Sequence, residues 1–411
     1  MNIYQAVNRL LRRLLVISLF WLVAIPATAA TDGNDAESYY RRVSTGLDRL
    51  QEQTPSITRL AEQAAAAYVK DDFAIAAFGD PGLVSEATGR AGGLMPLCSG
   101  QLKTANGQKT IALFFPCPPD QEAELAAAVK MRKNGGILIV FGDARVKEAA
   151  KKAGIAMDDF LETAGTKLEF PLDAVMNMSA LWCWTGEFVA ACTRLGKIPP
   201  LYQSYSVPGA KDRAEKFRGL KFHAETSPPI APGILGKQYL DGMKQRLATL
   251  HEKELEHIRA VAGQAMAASN SGHAVYLSVV GHALVGHAAR INETGRMRTL
   301  NSGWNPVNKD IKLGKGDLVF FIGYDDAASA PTEAAKNAGA GLAWSLTDYK
   351  ITPGAVPPGQ IFINQRWTLG DAIITVPGYD IRILPPSGVI TETILGMVLA
   401  EMDLHSGQLQ Q

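Results

Sequence analysis

Charged side chains follow a glycine-rich turn near the start of the chain, in a pattern that suits acid–base chemistry. The apolar residues 73–78 lead into Gly79 and Asp80, and Glu86 and Arg90 follow on a predicted helix. Residues four apart share one face of a helix. Glu86 could therefore transfer protons beside a polar ligand, with Gly79, Asp80 and Arg90 as its contacts. A surface ion pair on an amphipathic helix would give the same pattern, and this alternative stays open.

A similar turn occurs later in the chain and carries histidine in place of carboxylate. Residues 274–280 are apolar, Gly281 and His282 follow them, and a predicted helix over residues 284–290 ends at Arg290. His282 lies beside a helix N-terminus and is a candidate for acid–base work or ligand contact, with Gly281 and Arg290 as further contacts. His282 and His287 are five residues apart, a spacing that does not suit a metal pair.

Further candidates lie in other helices and loops. Glu187 belongs to a predicted amphipathic helix over residues 180–195, from which it could reach the sheet as an acid or base or bridge to the other half. Glu392 is a weaker acid–base candidate. The other predicted ligand-binding residues follow a strand or precede the last helix: Tyr324, Asp325, Ser329 and Ser387.

The elements that must position these residues occur twice. Residues 110–143 resemble residues 317–348, and an alanine-rich helix precedes each of the two turns. We interpret this as duplication of a whole domain. Strands that alternate with helices and are apolar on both faces predict an α/β protein with a parallel, three-layer α/β/α sheet in each half. In such sheets, ligands bind beyond the carboxyl ends of the strands, where both turns lie.

Length and composition fit two globular domains. The chain has 411 residues, of which 47% are hydrophobic, enough for two separate cores. We predict a first domain over residues 30–228 and a second over residues 229–411, joined at the proline-rich stretch 227–233. The formal net charge is +1, and lysine and arginine are not concentrated in one region of the sequence. A nucleic-acid partner is therefore not expected.

The first 29 residues are typical of an export signal. Arg9, Arg12 and Arg13 precede an apolar stretch over residues 14–25, and Ala27 and Ala29 fit a cleavage site. We predict cleavage after Ala29 and a secreted or periplasmic protein, without membrane association once the signal is removed. An uncleaved anchor built on the same segment is the alternative.

Four cysteines follow the predicted signal, and an oxidising compartment would permit disulfides. Cys98 and Cys117 lie at the ends of predicted strands and are the better pair, whereas Cys183 and Cys192 lie too far apart along one helix. Four free thiols are the alternative. The chain has no zinc spacing, P-loop or dinucleotide-binding glycine motif, so we predict neither metal nor cofactor.

The turns resemble those of the sugar isomerase (SIS) domains, a family of phosphosugar-binding modules. Residues 79–93, which end in Arg-Ala-Gly-Gly, and the Val-Gly-His of residues 280–282 are similar to the first turn of that family. The predicted fourth strand over residues 338–346 and the segments 370–372 and 386–388 also match in order. The resemblance covers nearly the whole mature chain as two tandem copies. It implies an SIS-like fold with flavodoxin-like topology.

The chain departs from the family at the phosphate-binding positions. Neither half has the family's Ser-x-Ser-Gly-x-Thr loop, and Pro81 and Ala283 replace the serine of the first turn. We therefore expect a carbohydrate or similar small polar ligand in the cleft between the halves. One alternative is an active aldose–ketose isomerase that works through an enediol, with Glu86, His282 or Glu187 as base. Another is a pseudo-enzyme that binds a protein partner, and a homodimer is compatible with either.

Overall fold

Two five-stranded parallel sheets, one in each half of the chain, frame the molecule. The computed structural model describes residues 35–70, 73–100, 109–117, 121–303, 307–324, 329–347 and 360–408. The predicted export signal lies outside these residues, so export and cleavage stay predictions. The described residues belong to one compact unit that spans residues 34–411.

The first sheet has the strand order β2-β1-β3-β4-β5. All its neighbouring strands are parallel, and Ile75 of β1 lies opposite Ile111 of β3. This is the flavodoxin-like order, in which β2 is added on one side of β1 and the later strands on the other, so the strand order reverses between β1 and β3. The strands are β1 Ala74–Gly79, β2 Leu97–Ser99, β3 Thr110–Phe115, β4 Ile137–Asp143 and β5 Phe160–Ala164.

The second sheet repeats this arrangement with the order β7-β6-β8-β9-β10. Its strands are also parallel. The predicted fold class is confirmed, while the domain boundaries stay predictions. The strands are β6 Val275–Val279, β7 Arg298–Ser302, β8 Leu318–Ile322, β9 Gly341–Leu346 and β10 Ile361–Asn364, and a small antiparallel pair adds β11 Ile374–Thr375 and β12 Arg382–Ile383.

The helices of the first half include one that is buried on all sides. Whereas the sequence predicts an amphipathic helix over residues 180–195, α6 (Leu172–Arg194) begins at Leu172 and packs against both α2 (Thr54–Lys70) and α8 (Ile234–Asn270). A helix that is apolar all round belongs inside a protein. The helices are α1 Ala36–Glu52, α2 Thr54–Lys70, α3 Pro81–Ala87, α4 Gln121–Lys133, α5 Ala144–Lys152, α6 Leu172–Arg194 and α7 Ala210–Phe217.

The helices of the second half join those of the first in a shared core. The last helix, α12, packs against α1, α6 and α8, so one hydrophobic cluster runs through both halves. No helix in the described part of the chain is long and apolar enough to cross a membrane. The helices are α8 Ile234–Asn270, α9 His282–Gly286, α10 Ala288–Glu293, α11 Ser329–Ala338 and α12 Ser387–Gln408.

Three local predictions differ from the structure. The helix after β1 ends at Ala87, because Thr88 is extended and Gly89 has φ +62°, so Arg90 lies beyond it. The helix predicted over residues 284–290 is divided at His287 into α9 and α10. The sequence predicts a short helical piece over residues 157–163; Met157–Asp159 is indeed a 3-10 helix, but Phe160–Ala164 forms β5, which pairs with β4.

The proposed disulfide is also wrong, since none of the four cysteines, all of which lie in the described part of the chain, forms a disulfide. Cys98 lies on β2 and Cys117 follows β3, and β1 lies between those two strands. Neighbouring strands are about 4.8 Å apart. Two strands on either side of a third are therefore too far apart for a disulfide.

Candidate functional site

Arg90 is the centre of a buried cluster that joins the two halves. Its side chain is 1% exposed; Nη1 donates to the Tyr324 hydroxyl (3.0 Å), and Nη2 donates to Asp371 Oδ2 (3.1 Å) and to Ser387 Oγ. Nε lies 2.9 Å from Glu86 Oε1, an ion-pair contact without hydrogen-bond alignment. Arg90 and Glu86 come from the first half and the other three residues from the second. The Arg90 guanidinium therefore contacts side chains of both halves.

The pKa of Glu86 suits an acid–base group, but its carboxylate is buried against Arg90. Burial raises the pKa of Glu86 to about 7, against the opposing charge of Arg90. One oxygen accepts from Trp182 Nε1 (3.2 Å), and the other has no hydrogen-bond partner among the described residues. A Cβ at Gly388 would lie 2.2 Å from Glu86 Oε1, so the carboxylate packs directly against the start of α12. In this geometry Glu86 holds Arg90.

His287 forms a second buried link between the halves. Nε2 lies 2.7 Å from Asp80 Oδ1 and Nδ1 lies 2.5 Å from Glu392 Oε1. Burial alone would lower the pKa of His287, but the carboxylates of Glu392 and Asp80 raise it to about 10. The ring is therefore an imidazolium at neutral pH and donates from both nitrogens. Asp80 also accepts from the backbone N–H groups of Gly82 and Leu83, which caps α3.

Arg290 repeats the task of Arg90 from the other side of the interface. Its Nη1 donates to Asp80 Oδ2 (3.1 Å) and its Nη2 to Asp173 Oδ2 (2.5 Å). Asp173 follows β5 of the first half, just as Asp371, the partner of Arg90, follows β10 of the second. Each half thus contributes an arginine that pairs with an aspartate of the other half. In both cases the aspartate follows the last parallel strand of its half in sequence.

One cavity beside this cluster, which we name the inner cavity, gathers polar and aromatic side chains. Its volume is about 280 Å³. It lies beyond the carboxyl ends of β6, β8 and β10, where ligands bind in open α/β sheets. Its lining consists of residues 89–91 and 202–206 together with His282, Tyr324, Trp367 and Asp371.

His282 is a neutral imidazole at this cavity. Burial and the nearby charge of Arg90 lower the pKa of His282 to about 4. Its Nδ1 lies 3.2 Å from the Ser85 carbonyl oxygen. A carbonyl oxygen only accepts, so Nδ1 carries the proton and Nε2 is an acceptor. A ligand hydroxyl can donate to such a nitrogen.

A second cavity, of about 580 Å³, lies at the carboxyl ends of the first sheet. Gly79 and Arg290 line it, together with Cys117 and Asp173. Gly79 has φ +97°, and a Cβ there would lie 2.0 Å from the Phe115 carbonyl oxygen, so only glycine fits this turn. Burial and the charge of Asp80 raise the pKa of Cys117 to about 12, so this cysteine is a thiol rather than a thiolate at neutral pH.

The structure separates other predicted site residues from both cavities. Glu187 is fully buried and accepts from Thr58 Oγ1 (2.9 Å) and from the backbone N–H groups of Gly233 (2.7 Å) and Gly236 (2.8 Å). These bonds fix the start of α8, and Glu187 lines neither cavity. Glu187 therefore holds the start of α8, and its catalytic role stays a prediction. Ser387 is likewise buried and bonds to Arg90 and Asp371.

The remaining predicted ligand contacts are Gly281, Ser329 and Asp325. Gly281 precedes α9, and a Cβ there would lie 3.7 Å from the Tyr324 hydroxyl, so Gly281 is close to the inner cavity. Ser329 begins α11. Asp325 lies outside the described residues. Among the described residues, no group of three or more histidine, cysteine, aspartate or glutamate side chains is arranged to hold a metal ion.

Sequence reasoning missed several residues of the inner cavity. Trp367 and Asp371 follow β10, a strand that the sequence pattern did not reveal. Residues 202–206 belong to an irregular stretch rich in tyrosine and serine, a composition typical of binding surfaces. That composition was the one signal that could have identified them.

Comparison with known proteins identifies the fold. By sequence, the chain matches no family model and no curated protein. By structure, it is similar to the C-terminal domain of glucosamine-fructose-6-phosphate aminotransferase from Francisella tularensis, with a TM-score of 0.52 and 10% identity over 92% of this chain and 98% of that chain. A protein from Silicibacter pomeroyi DSS-3, described provisionally as a phosphosugar isomerase, gives a TM-score of 0.44 and 14% identity over 89% of this chain and 98% of that chain. The chain therefore shares its fold with that aminotransferase domain, and its predicted resemblance to the sugar isomerase domains is confirmed at the level of the fold.

Proposed function

We propose that this protein, once exported, binds a sugar-like ligand without a phosphate group in the inner cavity. The observation that carries the proposal is the convergence of Arg90, His282 and Tyr324 with the aromatic rings of Tyr202 and Trp367 in one space between the halves. Ligand sites typically combine an apolar wall with a few placed polar groups. A sugar ring offers both a C–H face for the aromatic rings and hydroxyls for the polar groups. The volume of about 280 Å³ favours a ligand of monosaccharide size.

The charges around the cavity support a neutral ligand. Arg90 is the cation of the lining, and it already contacts the carboxylates of Glu86 and Asp371. His282 adds no positive charge at neutral pH because of its lowered pKa. A phosphate needs donors that other anions have not engaged. These contacts agree with the absence of the family's phosphate loop from the sequence.

Isomerisation has weaker support. The fold is shared with a domain of an enzyme named for glucosamine and fructose 6-phosphate, which keeps a sugar isomerase as the second candidate. A catalytic base works best when its pKa lies near the working pH. Glu86 has such a pKa but packs behind Arg90, and His282 is a weak base with a pKa of about 4.

Titration calorimetry with N-acetylglucosamine, glucosamine and fructose 6-phosphate tests the proposal. We expect N-acetylglucosamine, which is neutral, to bind. His282→Ala is expected to weaken this binding at least tenfold, because the Nε2 acceptor is lost. The control is His273→Ala, since that histidine lies on the surface away from both cavities and its replacement is expected to change nothing. Tighter binding of fructose 6-phosphate, or exchange of its C1 protons in deuterated water, would replace the proposal with the isomerase alternative.

A further inference from the structure

Residues 202–206 form one wall of the inner cavity, which we name the Tyr202 wall. One edge of this segment is held by the backbone of the first half, since Tyr202 pairs with Gly92 (2.8 Å) and Gly93 (2.9 Å). At Leu201, just before the wall, the backbone is bonded by side chains instead. The position of the wall therefore depends on what those side chains do.

Four side chains form a cluster at Leu201, which we name the clasp: Arg213, His223, Tyr379 and Asp380. Tyr379 and Asp380 lie in the loop between β11 and β12 of the second half. The Leu201 N–H donates to the Tyr379 hydroxyl (3.0 Å), and the Leu201 carbonyl accepts from Arg213 Nη1 (2.6 Å). Arg213 also donates to both carboxylate oxygens of Asp380 (2.6 and 2.8 Å). The clasp thus ties the Tyr202 wall to the second half.

The Tyr379 hydroxyl is the centre of the clasp and has a full set of hydrogen bonds. It accepts from the Leu201 N–H and from Arg213 Nη2 (3.3 Å), which occupies both of its lone pairs. His223 Nε2 lies 3.0 Å from the hydroxyl, whereas the Pro199 carbonyl oxygen lies 3.4 Å away. The hydroxyl proton therefore points to His223 Nε2, which accepts it only when the ring is neutral.

The surroundings of His223 favour the neutral ring. Four charged residues face this buried side chain: Arg213 and Lys216 of α7, Asp380 of the second half, and Glu225. Burial and the two cations lower the pKa of His223, and the two carboxylates oppose this only in part. A histidine with a lowered pKa in the folded protein loses its stabilising contribution as the pH falls below about 6.5.

Protonation of His223 is incompatible with these hydrogen bonds. A protonated ring carries hydrogen on both nitrogens, so Nε2 no longer accepts from Tyr379. Rotation of the hydroxyl toward Pro199 would leave three donors for two lone pairs: the Leu201 N–H, Arg213 Nη2 and His223 Nε2. The clasp then loses at least one bond, and Leu201 is held less tightly.

We propose that His223 and Tyr379 are positioning residues of the inner cavity, and that protonation of His223 loosens the Tyr202 wall and weakens sugar binding in acidic solution. This inference rests on the proposed function, because the ligand affected is the sugar in the inner cavity. It adds regulation of that site by pH. The proton comes from solvent, and a return to neutral pH restores the clasp.

Titration calorimetry with N-acetylglucosamine at pH 7.5 and at pH 5.0 tests this regulation. Between these pH values, wild type should lose about fivefold more affinity than His223→Gln, a factor typical of one hydrogen bond. The glutamine oxygen accepts from Tyr379 at either pH. Glu86 and His282, with pKa values of about 7 and about 4, titrate in both proteins and cancel in the comparison. The matched control is His273→Gln, an exposed histidine, which should show the wild-type loss.

Tyr379→Phe keeps the ring and removes the hydroxyl. It should weaken binding at pH 7.5 and show the same reduced dependence on pH as His223→Gln. Hydrogen exchange of the Leu201 amide, followed by NMR without sugar, measures the clasp directly. At pH 5.0 this amide should exchange faster in wild type than in His223→Gln, and the intrinsic effect of pH is the same in both.

The outcomes separate the inference from the proposed function. Equal losses of affinity in wild type and His223→Gln would overturn the inference while the proposed function stands. A Leu201 amide that exchanges no faster in wild type than in His223→Gln at pH 5.0 would also overturn it. Failure of N-acetylglucosamine to bind wild type at pH 7.5 would overturn the proposed function and the regulation together.

Discussion

At the scale of the residue, Arg90 shows how an interface can depend on one buried cation. Its guanidinium is in contact with Glu86 and Asp371 and is 1% exposed. Removing charges from water is costly, so such a group is favourable only while its partners remain. The two carboxylates have the same dependence, because burial raises the pKa of both. Arg90 therefore stabilises the interface by neutralising two buried acids at once.

We expect Arg90→Met to lower the free energy of unfolding by about 3–5 kcal/mol, because it leaves buried carboxylates without a cation. Urea unfolding followed by circular dichroism measures this. The matched control is Arg41→Met, which breaks an exposed pair with Glu37 four residues away. Such surface pairs contribute little, so the control should lie within about 0.5 kcal/mol of the wild type. A similar small loss for Arg90→Met would contradict the assigned role.

At the scale of the element, the backbones of the two halves come into direct contact where α3 packs against α9. A Cβ at Gly286 would lie 2.5 Å from the Gly82 Cα, and a Cβ at Gly82 would lie 2.2 Å from the His287 ring. The two glycines therefore permit the backbones to touch. They also set the distance across which His287 reaches Asp80.

Gly286→Ala is expected to separate these helices and to destabilise the protein by about 1–3 kcal/mol, as overpacking of a tight contact does. Gly263→Ala in α8 provides the control, because its Cβ would meet nothing within 4 Å. Alanine is favoured over glycine in a helix by about 0.5–1 kcal/mol, so the control should be neutral or slightly stabilising. Thermal unfolding of the two variants compares them. Equal stability would show that the contact at Gly286 can relax.

Short apolar runs bounded by turn residues were sufficient to predict several elements. The apolar runs 73–78 and 274–280 match β1 and β6. The sequence also predicts strands over residues 110–115 and 137–141 and helices over residues 36–50 and 56–70, which match β3, β4, α1 and α2. The prediction failed at β5, where Phe160–Ala164 is extended and pairs with β4. It also failed at the end of α3, where Thr88 leaves the helix. Pairing partners and helix ends depend on tertiary contacts, which a local pattern does not contain.

At the scale of the whole molecule, the candidate site depends on contacts between residues far apart in sequence. Asp80 and His287 are separated by 207 residues, and Arg90 and Ser387 by 297. The turns in the sequence identified Asp80, Arg90 and Ser387 as site residues. The local sequence patterns did not predict which of these residues contact one another or His287. His287 was set aside as half of a poor metal pair. Its role depends on the two carboxylates that the folded chain brings to it.

The buried imidazolium of His287 makes the stability of the folded protein dependent on pH. The pKa of His287 is about 10 in the folded protein, against about 6.5 in an unfolded chain. Its stabilising contribution is complete below pH 6.5 and is lost as the pH rises through 10. Glu86 also loses a proton as the pH rises, but the pKa of about 7 confines most of that effect to more acidic solution. The range from pH 7 to about 8.5 therefore reports mainly on His287, because the thiols of Cys117, Cys183 and Cys192, whose pKa burial raises, add to the decline only at higher pH.

We expect the free energy of unfolding to fall by up to about 1.4 kcal/mol per pH unit in this range, because the folded state holds one more proton. His287→Gln should be less stable at pH 7, since Asp80 and Glu392 lose a cation, and its stability should decline less steeply toward pH 10. His257→Gln is the control, because that side chain is 54% exposed and should leave the decline intact. Urea unfolding at pH 7, 8, 9 and 10 compares the three proteins. If the free energy of unfolding fell equally steeply with pH in wild type and His287→Gln, the extra proton of the folded state would not be held by His287.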